Sequence, residues 1–414
     1  MNITYKDSGI EWIGKIPKHW EIKQVKNLFK IGRGRVISQL ELEDNGEYPV
    51  FSSQTQNNGC LGYIKTYDFD VSQLTWTTDG ANAGTIFLRE GKHNCTNVCG
   101  TLQLRNNDVN LKYMLYNLTH IVHYHKRQDT NGYKIMNNEM AAIKVCIPDV
   151  KEQQAIADYL DNKCGEIDNA IETEKNVIEK LKEYKQSIIT ETVTKGLDKS
   201  VELKDSGIEW IGKIPKHWEI ISLSKISNIV RGASPRPAGD PLYFAGDFCP
   251  WITVAEVTKD ESKYIFKTEE YLTELGVQHS KLIEKDTFLL SNSGATLGVP
   301  KITKIKGCIN DGSLAFLEIS CNKDYLYYVL KSRTNEFRKQ MQGYGQPNLN
   351  TTIVKAFKIC LPTRKEQQQI ADYLDKKCSQ IDEAIKKKEE LIEKLTEYKK
   401  SLIYECVTGK RKAC

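Results

Sequence analysis

The sequence predicts two related globular domains of mixed α+β and α/β class, joined by two long helices that pack on each other as a coiled coil. Three observations lead to this fold class. Most of the chain is an internal repeat. Each copy contains short β-rich runs separated by Gly, Asn and Pro, and each copy ends in a segment with apolar residues at heptad spacing. The two copies are therefore expected to form a pseudo-symmetric molecule.

The repeat begins with a 17-residue segment, Lys6–Ile22, that recurs unchanged at Lys204–Ile220. A second matched block, Lys-Glu-Gln-Gln-x-Ile-Ala-Asp-Tyr-Leu-Asp, starts at Lys151 and again at Lys365. The copies are offset by 198 residues at the first block and by 214 at the second, so the second copy has sixteen extra residues between them. We expect this insertion mainly in residues 235–250. A repeat of this length indicates tandem duplication and lies outside the period of solenoid repeats.

Each copy is predicted to contain a repeated box, a globular domain and a long helix. Strands are expected in runs such as Gln73–Thr77 and Thr287–Leu290, and a helix late in each domain, near Leu111–Leu118 and Tyr325–Ser332. The predicted boundaries are 1–22 for the first box, 23–147 for the first domain, 148–196 for the first long helix, 197–220 for the second box, 221–361 for the second domain, and 362–414 for the second long helix and basic tail. The tryptophans of the boxes, Trp12, Trp20, Trp210 and Trp218, are expected to wedge each domain against a helix.

The long helices have start signals and a regular apolar pattern. Asp149 and Thr363 are candidate N-cap residues, and Glu152 and Glu366 stand three positions later, as in a capping box. Apolar residues then recur at spacings of three and four, which is typical of a coiled coil. The seams are Leu160, Ile167, Leu181, Ile188 with Cys164, Ile171, Ile178, and Leu374, Ile381, Leu395, Leu402 with Cys378, Ile385, Ile392. A helix of about 45 residues is roughly 65 Å long, and the apolar stripe of each is expected to cover that of the other.

Composition describes a globular chain without a membrane segment. The 414 residues include 59 basic and 54 acidic side chains, and a net charge of +5 is compatible with an anionic partner without identifying one. No apolar run approaches the ~20 residues that span a bilayer, and the first residues lack the apolar core of a signal peptide. The twelve cysteines are scattered. They are expected to be reduced, buried thiols, and no metal site is predicted.

Known catalytic motifs are missing from the sequence. It contains no Gly-x-x-x-x-Gly-Lys-Ser/Thr phosphate loop, no Gly-x-Ser-x-Gly nucleophile elbow, no His-Glu-x-x-His zinc site and no Asp/Asn-Pro-Pro-Tyr/Phe motif of amino-methyltransferases. We therefore expect a chain with no catalytic residues and no cofactor of its own.

Polar loops at matched places in the two domains are the candidate binding sites. Asn, Gln, Arg, Ser and Thr read base edges in DNA, whereas Lys and Arg hold phosphates. Ordinary solvated turns have a similar composition, and recurrence in both copies favours function. The candidate DNA-binding residues are Arg33, Arg35, Ser53, Gln54, Gln56, Asn57, Asn58, Thr78, Asn82, Lys126, Arg127, Gln128 and Asn131 in the first copy, and Arg231, Ser234, Arg236, Ser291, Asn292, Ser293, Thr296, Gln342, Tyr344, Gln346 and Asn348 in the second.

The box Asp-Ser-Gly-Ile-Glu-Trp-Ile-Gly-Lys-Ile-Pro-Lys-His-Trp at Asp7 and Asp205, together with the block that opens each long helix, resembles the specificity subunits of type I restriction–modification enzymes. The resemblance covers nearly the whole chain, twice and in the same order. It implies a non-catalytic bacterial, cytoplasmic protein with two target-recognition domains, each reading half of a split sequence in double-stranded DNA. It also implies that the two long helices run antiparallel.

The same resemblance implies partners and their cofactors. Two methyltransferase subunits that use S-adenosylmethionine would form an adenine-specific DNA methyltransferase with this chain, and two restriction (motor) subunits that use ATP and Mg would complete an ATP-dependent type I endonuclease. Individual base contacts do not carry over, because recognition loops differ among members. Two other hypotheses remain from the residues: an orphan protein-interaction scaffold, and an autonomous DNA-binding regulator.

Glu174 and Lys388 interrupt the apolar seams at equivalent positions. In an antiparallel pair related by a pseudo-two-fold axis, equivalent residues approach each other only at the midpoint. A polar interruption of a seam commonly fixes register. We therefore predict that these two side chains meet and set the register of the helices.

Overall fold

The computed structural model describes residues 4–130, 132–294, 296–334, 337 and 349–412. The chain divides into two compact units. The first runs to Asn176 and resumes at Lys388, and the second is Val177–Lys387. Both long helices pass from one unit to the other, so each unit contains a part of each helix.

The first unit is built on two four-stranded sheets and a small third sheet. Gln73–Thr77 and Cys99–Leu104 form the centre of an antiparallel sheet, and Tyr48–Phe51 pairs in parallel with Lys92–Cys95 in the other. The strand orders are Ile86–Arg89, Gln73–Thr77, Cys99–Leu104, Phe29–Arg33; Cys60–Ile64, Tyr48–Phe51, Lys92–Cys95, Phe69–Asp70; and Arg127–Asp129, Gly132–Lys134, Asp79–Gly80. Two-stranded pairs are Tyr5–Asp7 with Lys15–Pro17 and Glu21–Gln24 with Lys144–Ile147. Short helices are Val25–Leu28, Leu111–Ile121 and Asn137–Ala142, with 3-10 turns at Gln39–Glu41, Gln56–Gly59 and Val122–Tyr124.

The second unit repeats the two larger sheets and adds a fifth strand, Tyr264–Ile265, to one of them, whereas the small third sheet has no counterpart among the described residues. Its strand orders are Asn228–Arg231, Ser313–Leu317, Phe288–Ser291, Pro300–Thr303, Tyr264–Ile265; and Glu270–Leu272, Cys249–Ile252, Gly307–Ile309, Lys281–Ile283. Two-stranded pairs are Leu203–Asp205 with Lys213–Pro215 and Glu219–Ser222 with Lys358–Leu361. Short helices are Pro241–Phe244, Val254–Thr258, Glu274–Gln278, Lys323–Lys331 and Thr351–Ala356, with a 3-10 turn at Leu223–Lys225. The predicted strands near residues 73–77 and 287–290 and both late helices are confirmed.

Strand pairing relocates the insertion of the second copy. Val50 pairs with Asn94 in the first unit and Trp251 with Cys308 in the second. Trp251 is therefore the equivalent of Val50, an offset of 201 residues, and Cys308 is the equivalent of Asn94, an offset of 214. Since the offset is 198 at the boxes, only three of the sixteen extra residues precede the strand Cys249–Ile252. The other thirteen lie between that strand and Lys281–Ile283, where the Val254–Thr258 and Glu274–Gln278 helices are found. The expectation of an insertion mainly within residues 235–250 was wrong.

The long helices are Val150–Lys195 and Arg364–Val407, and they run antiparallel. In the first unit Asp168 pairs with Lys399 at 2.6 Å, and six residues later Glu174 pairs with Lys388 at 2.8 Å. The partner number falls as the residue number rises, which fixes the direction. In the second unit Lys185 and Asp382, the repeat equivalents of Lys399 and Asp168, also pair at 2.6 Å. The predicted antiparallel coiled coil and the meeting of Glu174 with Lys388 are confirmed.

The first turns of each long helix also belong to a domain core. Ile156, Leu160 and Cys164 are buried with Trp20 and with Leu402 of the other helix. In the second unit Ile370, Leu374 and Cys378 are buried with Trp218. Heptad spacing therefore serves two purposes, because the same stripe packs against a domain at one end of the helix and against the other helix further along.

The two matched sequence blocks form a joint between box, domain and helix. Glu152 accepts hydrogen bonds from the rings of His19, at 2.9 Å, and Trp20, at 3.1 Å. Asn110, the N-cap of the Leu111–Ile121 helix, donates its backbone N–H to the Gln153 side chain and its side-chain amide to the Gln154 side chain.

The second unit has the same joint. Glu366 accepts hydrogen bonds from the rings of His217 and Trp218. Asn322 donates its backbone N–H to Gln367 and its side-chain amide to Gln368. Asp375 accepts a hydrogen bond from the Tyr328 hydroxyl. The expected wedging of Trp20 and Trp218 is confirmed, and part of the identity of the boxes has a structural cause.

In the part of the chain that the structure describes, no helix is long and apolar enough to cross a membrane. The eleven cysteines in that part are buried and unpaired. Burial raises the pKa of the Cys99 thiol to about 11, so this thiol stays protonated at neutral pH. The expectation of reduced, buried thiols is confirmed for these residues.

Candidate nucleic-acid interface

Three loops that are distant in sequence meet on the first unit. The Asn82 amide donates to the Thr55 hydroxyl at 3.4 Å. The small sheet pairs Tyr133 with Gly80 and Lys134 with Asp79. The polar loops at 52–59 and 78–82 therefore lie beside the paired strands Arg127–Asp129 and Gly132–Lys134, a proximity that the sequence could not show.

The loop after the strand Tyr48–Phe51 presents amides to solvent. Gln56, Asn57 and Asn58 are exposed, and Asn57 and Asn58 have left-handed backbones with φ of 49° and 51°. Gln54 is half-buried and donates to the Cys60 carbonyl, so it closes the base of the loop. Ser53 is half-buried. Of these residues, the three at the tip are free to reach a partner.

The basic candidates Arg33 and Arg127 both contact residues of the Asn137–Ala142 helix. Arg33 Nε donates to Asn137 Oδ1 at 3.3 Å, and Arg127 pairs with Glu139 at 2.8 Å. Both side chains are exposed, so a phosphate or base could still reach them. Lys126 lies over the Tyr133 ring at 4.4 Å. Gln128 is exposed beside them.

Arg35 has a different environment from Arg33. Its guanidinium bonds Glu41 at 2.8 Å and Asp68 at 3.2 Å. The hydrogen bond that Arg35 donates to Glu41 raises the pKa of Arg35. Two carboxylates thus surround this cation, so its charge is already balanced within the unit.

Three candidate residues are buried, which corrects the expectation that they lie exposed on loops. Thr78 is 1% exposed and donates to the Val98 carbonyl at 3.1 Å. Ser291 is buried and donates to the Thr296 carbonyl at 2.7 Å, as its equivalent Thr77 does to the Asn82 carbonyl. Asn292 is 0% exposed, and among the described residues its side-chain atoms have no hydrogen-bond partner. These side chains shape the loops from within.

Asp311 organises the basic candidates of the second unit. Its carboxylate accepts from the Ser234 hydroxyl at 2.6 Å and from Arg236 at 3.3 Å, and its carbonyl accepts from Arg231 at 2.8 Å. Ser293 is half-buried and Thr296 exposed in the neighbouring loop. Five further candidates, Asn131, Gln342, Tyr344, Gln346 and Asn348, lie outside the described residues.

The two surfaces offer the chemistry of base and phosphate recognition on one framework. Amide side chains are the main groups on the surface of the first unit, and guanidinium and hydroxyl groups are the main groups on that of the second. In DNA-binding proteins such groups form hydrogen bonds with base edges and bind phosphates. Sequence reasoning missed Asp311 and Glu139, which orient arginines, and Arg89, which lies beneath the Asn57–Asn58 turn. A charged residue at the end of the apolar run Ile86–Arg89 was the available signal for Arg89.

The family model described as type I restriction modification DNA specificity domain matches residues 17–183 and 215–394. The two matches correspond to the two sequence copies. Together they cover most of the chain.

Individual proteins are similar over different lengths. A type I restriction enzyme specificity subunit from Methanocaldococcus jannaschii is 27% identical, covering 96% of this chain and 94% of the relative. A putative type I specificity subunit N-terminus from Mycoplasma pneumoniae is 41% identical over 33% of this chain and 74% of the relative. A solved chain from a study of assembly and conformational transition in a type I restriction–modification system has a TM-score of 0.74 at 14% identity, covering 96% of this chain and 99% of that one. The last similarity concerns the fold alone.

Proposed function

The chain belongs to the family of type I restriction–modification DNA specificity domains, and we propose that it is a non-catalytic specificity subunit whose two units each read one half of a bipartite target in double-stranded DNA. The observation that carries this proposal is the pairing of one shared framework with two different polar surfaces. The strand order of the two larger sheets and the joint to the long helix recur in both units. The side chains that face solvent on the loops do not.

Separate reading of the half-sites can be tested by exchanging one domain. Replacing residues 23–147 with the corresponding segment of a relative should change the first half-site and leave the second unchanged, because the exchanged surface lies entirely within the first unit. Binding would be measured by selecting targets from a random DNA pool, with and without a candidate methyltransferase subunit.

The other possible outcomes of this selection would each favour a different hypothesis for the function of the chain. A simultaneous change of both half-sites would contradict independent reading. Sequence-specific binding that never depends on a methyltransferase would favour an autonomous regulator. The absence of any selected sequence under both conditions would favour a protein-interaction scaffold.

We further propose that two methyltransferase subunits bind this chain, followed by two restriction subunits, and that S-adenosylmethionine, ATP and Mg are bound by those partners. A pair of matched cavities supports two equivalent docking places. In the first unit a cavity of about 640 Å³ is lined by Trp12, Ser401 and Tyr404. In the second, a cavity of about 980 Å³ is lined by the equivalent positions Trp210, Ser187 and Thr190. Each lies between a box and the C-terminal end of a long helix.

A further inference from the structure

Arg89 is a buried cation beneath the candidate DNA-binding surface of the first unit. It ends the strand Ile86–Arg89 and is 2% exposed. Its guanidinium lies 3.6 Å from the centre of the Phe51 ring and 4.3 Å from that of Phe87. Among the described residues, no carboxylate lies within ion-pair distance of it. Burial lowers the pKa of Arg89 to about 10, so the group stays charged at neutral pH.

The charge of Arg89 is directed at the turn that presents the exposed asparagines. Nη1 donates to the Asn58 carbonyl at 2.7 Å, and Nε donates to the Thr75 hydroxyl at 3.2 Å. An unpaired charge is unfavourable in a protein interior unless hydrogen bonds compensate it. Because its donor is an ionised guanidinium, the bond to the Asn58 carbonyl is charge-assisted and stronger than a bond between neutral groups.

The turn itself needs such a support. Asn57, Asn58 and Gly59 are three consecutive left-handed residues, with φ of 49°, 51° and 77°. This conformation is unfavourable for residues with a side chain and persists where surrounding structure determines it. A Cβ atom at Gly59 would lie 2.8 Å from Arg89 Nη2, so the turn and the guanidinium are packed closely together.

We propose that Arg89 is a positioning residue for sequence recognition by the first unit: it holds the Asn57–Asn58 turn in one left-handed conformation, so that the two amides are presented to base edges in a fixed orientation. The proposal rests on the proposed function and adds a buried determinant to the exposed candidates. A base edge is read through hydrogen bonds of defined direction. A turn that samples several conformations would therefore discriminate poorly even with both asparagines present.

The second unit supplies a matched comparison. Thr303 occupies the position equivalent to Arg89, and the buried cation of the same strand is Lys301, which bonds the Asp260 carboxylate at 2.5 Å and the Asp260 carbonyl at 2.8 Å. Lys301 is thus compensated by a carboxylate and supports a different segment. Arg89→Met and Lys301→Met each remove one buried cation from equivalent strands.

The test measures discrimination at the first half-site by the full chain, with its methyltransferase subunit where binding requires it. For Arg89→Met we expect the affinity ratio between the selected target and targets with one changed base to fall roughly tenfold at positions of the first half-site. The ratio at the second half-site should stay unchanged. Arg89→Lys, which keeps the charge but loses the fork of donors, should give a smaller loss at the same positions. Lys301→Met should leave the first half-site as it is.

A double-variant cycle separates positioning from general stability. If Arg89 acts through the asparagines, then in the Asn57→Ala, Asn58→Ala background Arg89→Met should cause no further loss of discrimination. Additive losses, or equal weakening on every DNA sequence, would overturn the proposal. If Arg89→Met does not fold, Arg89→Lys decides: unchanged discrimination by this folded variant overturns the proposal. Failure of the wild-type chain to select two half-sites would instead refute the proposed function itself.

Discussion

Glu366 connects three parts of the second unit through one carboxylate. One oxygen accepts from the rings of His217 and Trp218, and the other from the Thr363 hydroxyl at 2.7 Å. Burial opposes ionisation of this group, but the bonds from Thr363, Trp218 and His217 outweigh it and lower the pKa of Glu366 to about 2. The ionised side chain therefore ties the second box to the start of the second long helix, and protonation would weaken this connection.

We expect Glu366→Gln to destabilise the second unit at pH 7 by about 1–2 kcal/mol, since hydrogen bonds to a charged group are lost from a partly exposed site. Because the folded pKa is depressed, the contribution is fully present above the unfolded value of 4.5 and is lost as pH falls toward about 2. The difference from wild type should therefore shrink across that window. This difference in the free energy of unfolding would be measured by urea unfolding and by hydrogen exchange in the first turns of the second long helix.

The matched control is Glu383→Gln on the same helix. Glu383 is exposed and pairs with Lys387 one turn away on the same helix, so its replacement should cost less than about 0.5 kcal/mol. Equal losses for both variants, or a Glu366→Gln loss that is constant from pH 7 to pH 3, would contradict the role assigned to Glu366.

At this scale the sequence predicted which residue types line the candidate surface but not which of them point outward. Thr78 and Asn82 belong to the same polar loop, yet Thr78 is buried and Asn82 is exposed. Orientation depends on loop hydrogen bonds, such as that from Thr78 to Val98, between residues that are distant in sequence. Arg89 was missed for the same reason, because its partner Asn58 is 31 residues away.

At the scale of elements, the long helices were the most predictable part of the fold. Their pattern is local and repeats over several heptads, so each heptad supports the same prediction. The insertion was misplaced because its position depends on strand pairing between distant segments, such as Val50 with Asn94 and Trp251 with Cys308. Sheet register is set by such pairing and not by local sequence.

The register of the long helices gives an element-scale prediction. Glu174 and Lys388 form a partly buried pair within the apolar seam, so replacing either one alone by Leu should destabilise the first unit by roughly 1–3 kcal/mol, because the other charge is left without its partner. Replacing both should restore much of that stability but relax the register. The checks are a double-mutant cycle in urea and the range of spacer lengths accepted between half-sites.

Lys163→Leu is a suitable control for the pair. Lys163 also forms an ion pair on the first long helix, but its partner Glu166 lies on the same helix at an exposed position. This variant should change neither register nor spacer preference. If the Glu174→Leu, Lys388→Leu variant also keeps a single spacer length, the pair does not determine register.

At the scale of the whole molecule, the chain closes the first unit with its own C-terminal region. The Tyr5 hydroxyl donates to the Gly409 carbonyl at 3.4 Å, and the Tyr113 hydroxyl lies 3.4 Å from the Val407 carbonyl. In the second unit Tyr325, the equivalent of Tyr113, donates its hydroxyl to the Val193 carbonyl at 3.3 Å. The first box therefore packs on the end of the second long helix, and Trp218 of the second box is buried with Ile189 and Val193 at the end of the first.

This recurrence predicts two equivalent docking places for a methyltransferase subunit, so the chain should bind two copies. Filling one cavity should remove one copy: Ser401→Trp in the first unit and Ser187→Trp in the second each place a large ring at an exposed, equivalent lining position. Light scattering of purified mixtures should then saturate at two copies for the wild-type chain, one for each single variant and none for the double variant. Saturation of the wild-type chain at one copy would contradict the pseudo-symmetric docking. Two copies on the double variant would show that docking occurs outside the cavities.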